Sequence, residues 1–269
     1  MHAISSFKPD SRFVAHVAPS PNHDARIGTA APDILLLHYT GMRDMPTALD
    51  RLLSRESRVS CHYLVCEDGA MLQLVAEGDR AWHAGASFWE WGNDINSRSI
   101  GIEIVNPGHE FGYRDFPEPQ IAALIELTQD IVARWAIRPD RVLGHSDVAP
   151  NRKDDPGERF PWRRLAEAGI GLWVPPAPIE PGPILGPGDL GAEVTALQQA
   201  FAAYGYGIAP TGVYDVPTAQ VVIAFQRHFR TERIDGRADL STIRTLHALI
   251  AAKQALVAAA EAGTTARGT

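Results

Sequence analysis

The sequence is short of cysteine, of positive charge and of long apolar runs, and each shortage closes off a class of answer. Only two cysteines occur, Cys61 and Cys66. Their odd spacing along an expected strand turns the side chains to opposite faces, so they do not bridge each other and a disulfide framework is excluded. Both read as small buried apolar residues that suit a reducing compartment. Lysine and arginine total 25 against 32 aspartate and glutamate, a formal net charge of -7. Without a broad basic field, nucleic acid and anionic membrane surfaces make poor partners, and a neutral or compact substrate is expected. Nowhere does the chain approach the roughly 18 unbroken apolar residues that a membrane helix needs. The stretch MHAISSFKPDSRFVAHVAPS at the start carries neither a signal-peptide core nor a lipid-attachment cysteine. The expected location is therefore the cytoplasm, with the periplasm or cell envelope as the alternative.

What is present is enough for two cores. A chain of 269 residues with 45% hydrophobic content can bury one sizeable core and a smaller second one. The boundary is marked by VPPAPIEPGPILGPGD from Val174 to Asp189, whose six prolines and three glycines interrupt helical and strand periodicity alike. This predicts a first domain over residues 1–173, a semi-rigid spacer over 174–188 and a second domain over 189–269. In the first segment Asp33 to Tyr39 (DILLLHY) is apolar on both faces, as a central strand covered on both sides must be. A helix is expected from Pro46 to Ser57, then strands Ser60 to Glu67 and Ala70 to Val75 joined by the Asp68-Gly69 turn. Ser99 to Val105 reads as a strand, Pro119 to Ala136 as an amphipathic helix, and Arg141 to Gly144 as a short strand running into a polar loop. The class is α/β. The tail differs, with Val194, Leu197, Phe201 and Tyr204, then Val221, Val222 and Phe225, then Ile243, Leu246 and Ile250 at helical spacing, which predicts a small all-α three-helix bundle.

The chemistry concentrates at strand ends. The loop GHSDVAPNRKDDPGERFPW from Gly144 to Trp162 packs a histidine, a lysine and several carboxylates beside the end of one strand, and His38 closes another. Open α/β sheets keep their ligands outside the carboxyl ends of the strands. Two histidines and one carboxylate with an open fourth position make a catalytic zinc site. Spacing alone does not choose the carboxylate, and no short metal motif links His38 to His145.

Five segments taken together resemble one family: DILLLHYTG, SCHYLVCEDG, AWHAG, SIGIEIVNPG and GHSDVAPNRKDDPG, in this order. They look like the zinc-dependent N-acetylmuramoyl-L-alanine amidases, a family that includes T7-type lysozymes and is related to animal peptidoglycan recognition proteins. The resemblance implies a mixed central sheet flanked by helices and one zinc ion per chain. It places the zinc ligands on His38, His145 and Asp155, rather than on Asp154 or Asp147. It also places a catalytic acidic residue on Glu103 and a catalytic lysine on Lys153. The strand pattern agrees, because Ile100, Ile102 and Ile104 share one face and leave Glu103 on the other beside Gly101. His62 is expected to be a packed neighbour, and His83, in a glycine-flanked loop, a residue that touches substrate.

The implied reaction is hydrolysis of the amide between the lactyl group of N-acetylmuramic acid and L-alanine in peptidoglycan or muropeptides, as in cell-wall degradation and recycling. Two other readings stand beside it: a non-catalytic recognition protein, and a zinc peptidase that cuts inside the stem peptide. The first is disfavoured because all five polar residues are present. His38 is followed by Tyr39 and Thr40, a form closer to the broader-specificity branch than to the recycling enzymes that prefer anhydromuropeptides. In the tail, LGAEVTALQQAF, GVYDVPTAQVVIAFQ and DGRADLSTIRTL resemble the three-helix peptidoglycan-binding domain attached to many wall hydrolases.

Overall fold

The computed structural model describes residues 7–29 and 31–267. The first six residues of the stretch searched for an export signal therefore lie outside it. The chain divides into two compact units, Met1–Phe88 with Gly92–Gly171, and Trp89–Trp91 with Leu172–Thr269.

The first unit is built on a mixed six-stranded sheet. Its strands are β1 (His16–Val17), β3 (Ile34–Tyr39), β4 (Tyr63–Val65), β5 (Met71–Gln73), β7 (Ser99–Ile104) and β8 (Val142–Gly144), while β2 (His23–Ala25) and β6 (Asp79–Ala81) pair separately. The order is β1-β5-β4-β7-β3-β8, parallel throughout except for the β4-β5 hairpin at Asp68-Gly69. β3 lies inside the sheet between β7 and β8, and Ile34 to Leu37 have no exposed surface. A strand apolar on both faces is stable only where both faces are covered. Around the sheet lie α1 (Met45–Leu53), α2 (Ile95–Arg98), α3 (Gly108–Phe111), α4 (Glu118–Trp135), α5 (His145–Val148) and α6 (Trp162–Glu167). Asp44 caps α1 by accepting from the Thr47 amide, and Pro46 sits in its first turn, where a missing N–H costs nothing. α4 buries Ile121, Leu124, Leu127 and Ile131, one stripe at the helical period.

Three expectations shorten. The first helix stops at Leu53, Ser54 turns extended, and a separate tight turn covers Arg55–Ser57. The hairpin strands pair only over Tyr63–Val65 and Met71–Gln73. The elements not foreseen, β1, β2, β6, α2, α3, α5 and α6, are two to six residues long, too short to show a period, and α5 stands where a polar loop was expected.

The second unit is helical, with α7 (Ala192–Tyr204), α8 (Val216–Phe229) and α9 (Leu240–Arg267). Its core stacks Phe201 edge-on to Phe225 at 5.4 Å, with Tyr204 and Phe229 alongside. Trp89, from the residues that cluster with this unit, sets its ring edge-on to Tyr206 at 5.1 Å. On α9 the buried face runs through Thr242, Thr245, Leu246 and Leu249, one step away from the expected Ile243 and Ile250, which are half-buried.

The two interhelical loops are held by the same device used twice. The buried Gln198 accepts from the Gly212 amide and donates to the Val213 carbonyl and the Thr218 hydroxyl. The buried Gln226 accepts from the Gly236 amide and donates to the Arg237 carbonyl and the Thr242 hydroxyl. In each case an aspartate, Asp215 or Asp239, accepts from the backbone amide of that threonine and caps the helix that follows.

The proline-rich stretch, expected to be a semi-rigid spacer, is tied along its length to the helical unit. Ala177 donates its amide to Thr245 and accepts from Ser241, Glu180 pairs with Arg244, and Leu185 bridges to Ala238. Proline and glycine remove regular periodicity, but they leave carbonyls and apolar surface that a neighbouring helix can hold. Among the described residues no helix is long and apolar enough to cross a membrane.

Candidate active site

Three neighbouring strands deliver the polar residues side by side. In the β3-β7 register His38 pairs with Glu103, and Leu36 with Gly101, while Leu37 pairs with Gly144 on the other side, immediately before His145. Register partners in adjacent strands project to the same face. His38, Glu103 and His145 thus meet at the carboxyl ends of β3, β7 and β8, where an α/β sheet presents its ligands.

Asp155 reaches the same point from the loop after α5. The Ser146 amide donates to the Asp155 carbonyl at 2.9 Å, folding the loop back over the start of α5. His38 Nδ1 lies 2.9 Å from His145 Nδ1 and 3.0 Å from Asp155 Oδ2, and His145 Nδ1 lies 3.1 Å from the same oxygen. His38, His145 and Asp155 are the one group among the described residues whose spacing could hold a metal ion. Zinc bonds of about 2.0–2.2 Å put tetrahedral donor atoms roughly 3.3 Å apart, close to this triangle. Two imidazole nitrogens and a carboxylate oxygen in mutual contact cannot each be satisfied by shared protons, whereas a divalent cation satisfies all three.

Electrostatics supports the same use. Burial, reinforced by neighbouring His145, lowers the His38 pKa to about 4, so this imidazole is neutral and has a lone pair to offer. Burial alone would raise the Asp155 pKa, but the two imidazoles hold it well below the usual carboxylate range. The other candidate carboxylates are placed differently. Asp147 Oδ2 accepts from the Gly144 amide at 2.8 Å, a local cap, and Asp154 is exposed.

Glu103 and Lys153 line the cavity above the triangle, whose volume is about 330 Å³. Glu103 Oε2 is buried with no hydrogen-bond partner. Burial first, and the Asp155 charge second, push its pKa well above the usual range. A carboxylate oxygen held there without a partner is costly to folding, and its place in the cavity beside the triangle makes Glu103 a candidate for chemistry.

His62 and His83 lie in a second layer. His62 accepts from the Gly101 amide at 2.9 Å and donates to the Asp79 carbonyl, a packed neighbour. His83 borders the cavity but is only 8% exposed, and both ring nitrogens already have protein partners, His38 at 3.0 Å and Ser99 at 3.3 Å. His83, expected to touch substrate, lines both cavities while its ring nitrogens are turned to His38 and Ser99. Ser99 and Arg152 were not singled out from sequence. Ser99 could have been, because alternation puts Ser99, Gly101 and Glu103 on one face. Arg152 Nη2 bonds the Ala84 carbonyl and its Nε the Ala86 carbonyl, which nothing in the spacing foretells.

A second cavity of about 410 Å³ shares Val59, His83, Arg152 and Lys153 with the first and adds Arg58 and Arg80.

Comparison with known proteins agrees. The N-acetylmuramoyl-L-alanine amidase family pattern matches residues 28–158, and a peptidoglycan binding domain pattern matches 191–246. The amidase AmiD of Escherichia coli is 38% identical over 242 residues, 81% of this chain and 82% of its own. The 1,6-anhydro-N-acetylmuramyl-L-alanine amidase AmpD of Escherichia coli is 32% identical over 168 residues, 56% of this chain and 90% of its own. Among solved structures, AmiD in complex with anhydro-N-acetylmuramic acid-L-Ala-D-γ-Glu-L-Lys superposes with a TM-score of 0.70 at 37% identity, over 83% of this chain and 91% of that one. AmpDh3 of Pseudomonas aeruginosa, in complex with anhydromuramic pentapeptide, gives 0.67 at 33% identity, over 82% of this chain and 91% of that one. With strand register, donor triangle and relatives in agreement, the chain belongs to the zinc-dependent N-acetylmuramoyl-L-alanine amidase family.

Proposed function

We propose that this amidase holds one zinc ion through His38, His145 and Asp155 and hydrolyses the amide between the lactyl group of N-acetylmuramic acid and L-alanine. The observation that carries the reading is the partnerless carboxylate oxygen of Glu103, beside a triangle of converging donor atoms. Zinc in such a cradle supplies Lewis acidity, which activates water and polarises an amide carbonyl. Glu103, its proton affinity raised by burial, takes the proton from the attacking water and delivers it to the leaving nitrogen of L-alanine. Lys153, on the same cavity wall, offers its ammonium to the negative charge that develops on the carbonyl oxygen. The adjoining cavity, edged by Arg58, Arg152 and Lys153, suits the carboxylates of a stem peptide. The helical unit, which belongs with peptidoglycan binding domains, would hold the enzyme on the polymer and raise its local concentration there.

Two measurements test this. Metal analysis of the full chain should find one zinc, and His145→Ala should lose it; full zinc content in that variant would rule out the ligand set. Mass spectrometry of digested muropeptides should find free lactyl-muramic acid and intact stem peptides. New amino termini within the stem would point to a peptidase instead.

A further inference from the structure

Each imidazole of the donor triangle has a second nitrogen, and both second nitrogens lead to the same loop. His145 Nε2 lies 3.1 Å from the Ala84 carbonyl oxygen. A carbonyl only accepts, and the Arg152 Nη2 donor, 3.3 Å from the same nitrogen, already has that carbonyl to donate to, so the shorter contact puts the His145 proton on Nε2 and turns the lone pair of Nδ1 into the triangle. His38 Nε2 lies 3.0 Å from His83 Nδ1, a contact whose polarity is not set by the pair alone. It is set two steps away. The Ser99 hydroxyl donates to the Ile95 carbonyl at 2.6 Å, so toward His83 Nε2, 3.3 Å off, it can only accept. His83 therefore carries its proton on Nε2, accepts at Nδ1, and requires the proton of His38 on Nε2. The lone pair of His38 Nδ1 then faces the triangle as well.

The loop itself is fixed from behind. The amides of His83 and Ala84 both donate to Asn96 Oδ1, at 3.0 and 2.7 Å, and Ser60 ties the Trp82 amide at 2.8 Å. Gly101 completes the fit: a side-chain carbon there would lie 2.5 Å from the His83 ring. The glycine beside Glu103 is thus required by the imidazole packed on it.

We infer that the loop from Trp82 to Ala84, with Ser99 behind it, is the element that selects the metal-binding nitrogen of both histidine ligands, and that His83 and Ser99 are positioning residues for the metal centre. The inference rests on the ligand set proposed above. Outer partners of this kind, when removed, cost about ten- to a hundredfold in metal affinity.

The experiment is done on the full chain. Competition with a chromophoric chelator measures zinc affinity, and long-range ¹⁵N correlation spectra of the zinc-loaded protein show which ring nitrogen is metal-bound. We expect Nδ1 bound in both His38 and His145, with the Nε2 protons visible and slow to exchange. His83→Leu should weaken zinc about ten- to a hundredfold, and His83→Asn, which restores an acceptor, should recover most of it. Ser99→Ala should lose less, because His83 then populates both tautomers and its own ring spectrum divides accordingly. Zinc affinity within twofold of wild type in both His83→Leu and Ser99→Ala would overturn the inference, as would Nε2 as the metal-bound atom of His38. Should His83→Leu fail to fold, Ser99→Ala and the wild-type spectrum decide. Metal-shifted signals from neither histidine would instead overturn the ligand set, so the two failures are distinguishable.

Discussion

The two units bury polar side chains to different ends. In the first, His38, His83, His145 and Asp155 are at most 8% exposed and crowd toward one cavity, and Glu103 keeps a carboxylate oxygen there without a partner. In the second, Gln198 and Gln226 have no exposed surface, and both ends of each amide are bonded to the loop it faces. An incompletely satisfied buried group is a cost to folding that chemistry can use, whereas a satisfied one specifies a conformation. Substitution of the polar groups around the cavity should therefore show in rate or metal content, and substitution of the second unit's glutamines in stability.

The largest effect expected is that of Glu103→Gln. The amide keeps the shape but cannot take a proton, so turnover should fall by about 10²–10⁴-fold with zinc retained and stability unchanged or improved. A two- or threefold loss would make Glu103 a structural group and erase the contrast. Lys153→Met should follow with about 10²–10³-fold, read as kcat on a soluble muropeptide with zinc content measured in parallel.

A smaller effect separates the units by pH. His62 is held neutral in the folded chain, its pKa lowered to about 3 by burial first and then by Arg26, with the nearby His23 adding to the shift. The folded state then binds fewer protons than the unfolded one between that value and the ordinary histidine value near 6.5. Stability is complete above this window and falls as the pH drops through it, by about 2 kcal/mol between pH 6.5 and 5. Denaturant titration of the first unit's transition at these two pH values should show the loss, and His62→Gln should reduce it by about that amount, leaving the share of the buried His38. Equal slopes in both proteins would assign the loss to another group.

The smallest is in the second unit. Gln226→Ala leaves the Gly236 amide and the Arg237 carbonyl without their partner and should destabilise that unit by about 1–3 kcal/mol. Retention on sacculi should weaken on warming while the rate on a soluble muropeptide is unchanged. A parallel loss of the soluble rate would mean the division of labour is wrong.

Much of the first unit was legible because its signals are local. β3 is a continuous apolar run, β7 alternates, and α4 repeats every three or four residues, so their type is written in one window of sequence. The donor triangle was legible only through resemblance, since His38 and His145 converge through strand register rather than spacing. The contacts of His83 were not legible, because its partners His38 and Ser99 come from separate strands. In the second unit the helices were visible but the loops were not. Composition marked residues 174–188 as extended chain without indicating that Ala177 and Leu185 would find bonds along it. The repeated pattern of glycine, aspartate and threonine before α8 and α9, Gly212-Asp215-Thr218 and Gly236-Asp239-Thr242, stood in the sequence, and its meaning appears only with the glutamine that grips each one.

That grip has a consequence for how the helical unit can vary. Gln198 reaches a glycine 14 residues ahead, and Gln226 one only 10 ahead, yet the bonds made at the far end are the same. Three of the four extra residues are helix, since α7 runs on to Tyr204 and α8 only to Phe229, so the loops themselves differ by one residue, and the entropy of closing a somewhat longer one rises only slowly with length. Residues could be inserted between Tyr206 and Ala209, or between Glu232 and Arg233, and the next helix would still start in register. Moving the glycine by one position relative to the aspartate would not be tolerated in the same way, because glutamine and cap would then call for different starting points.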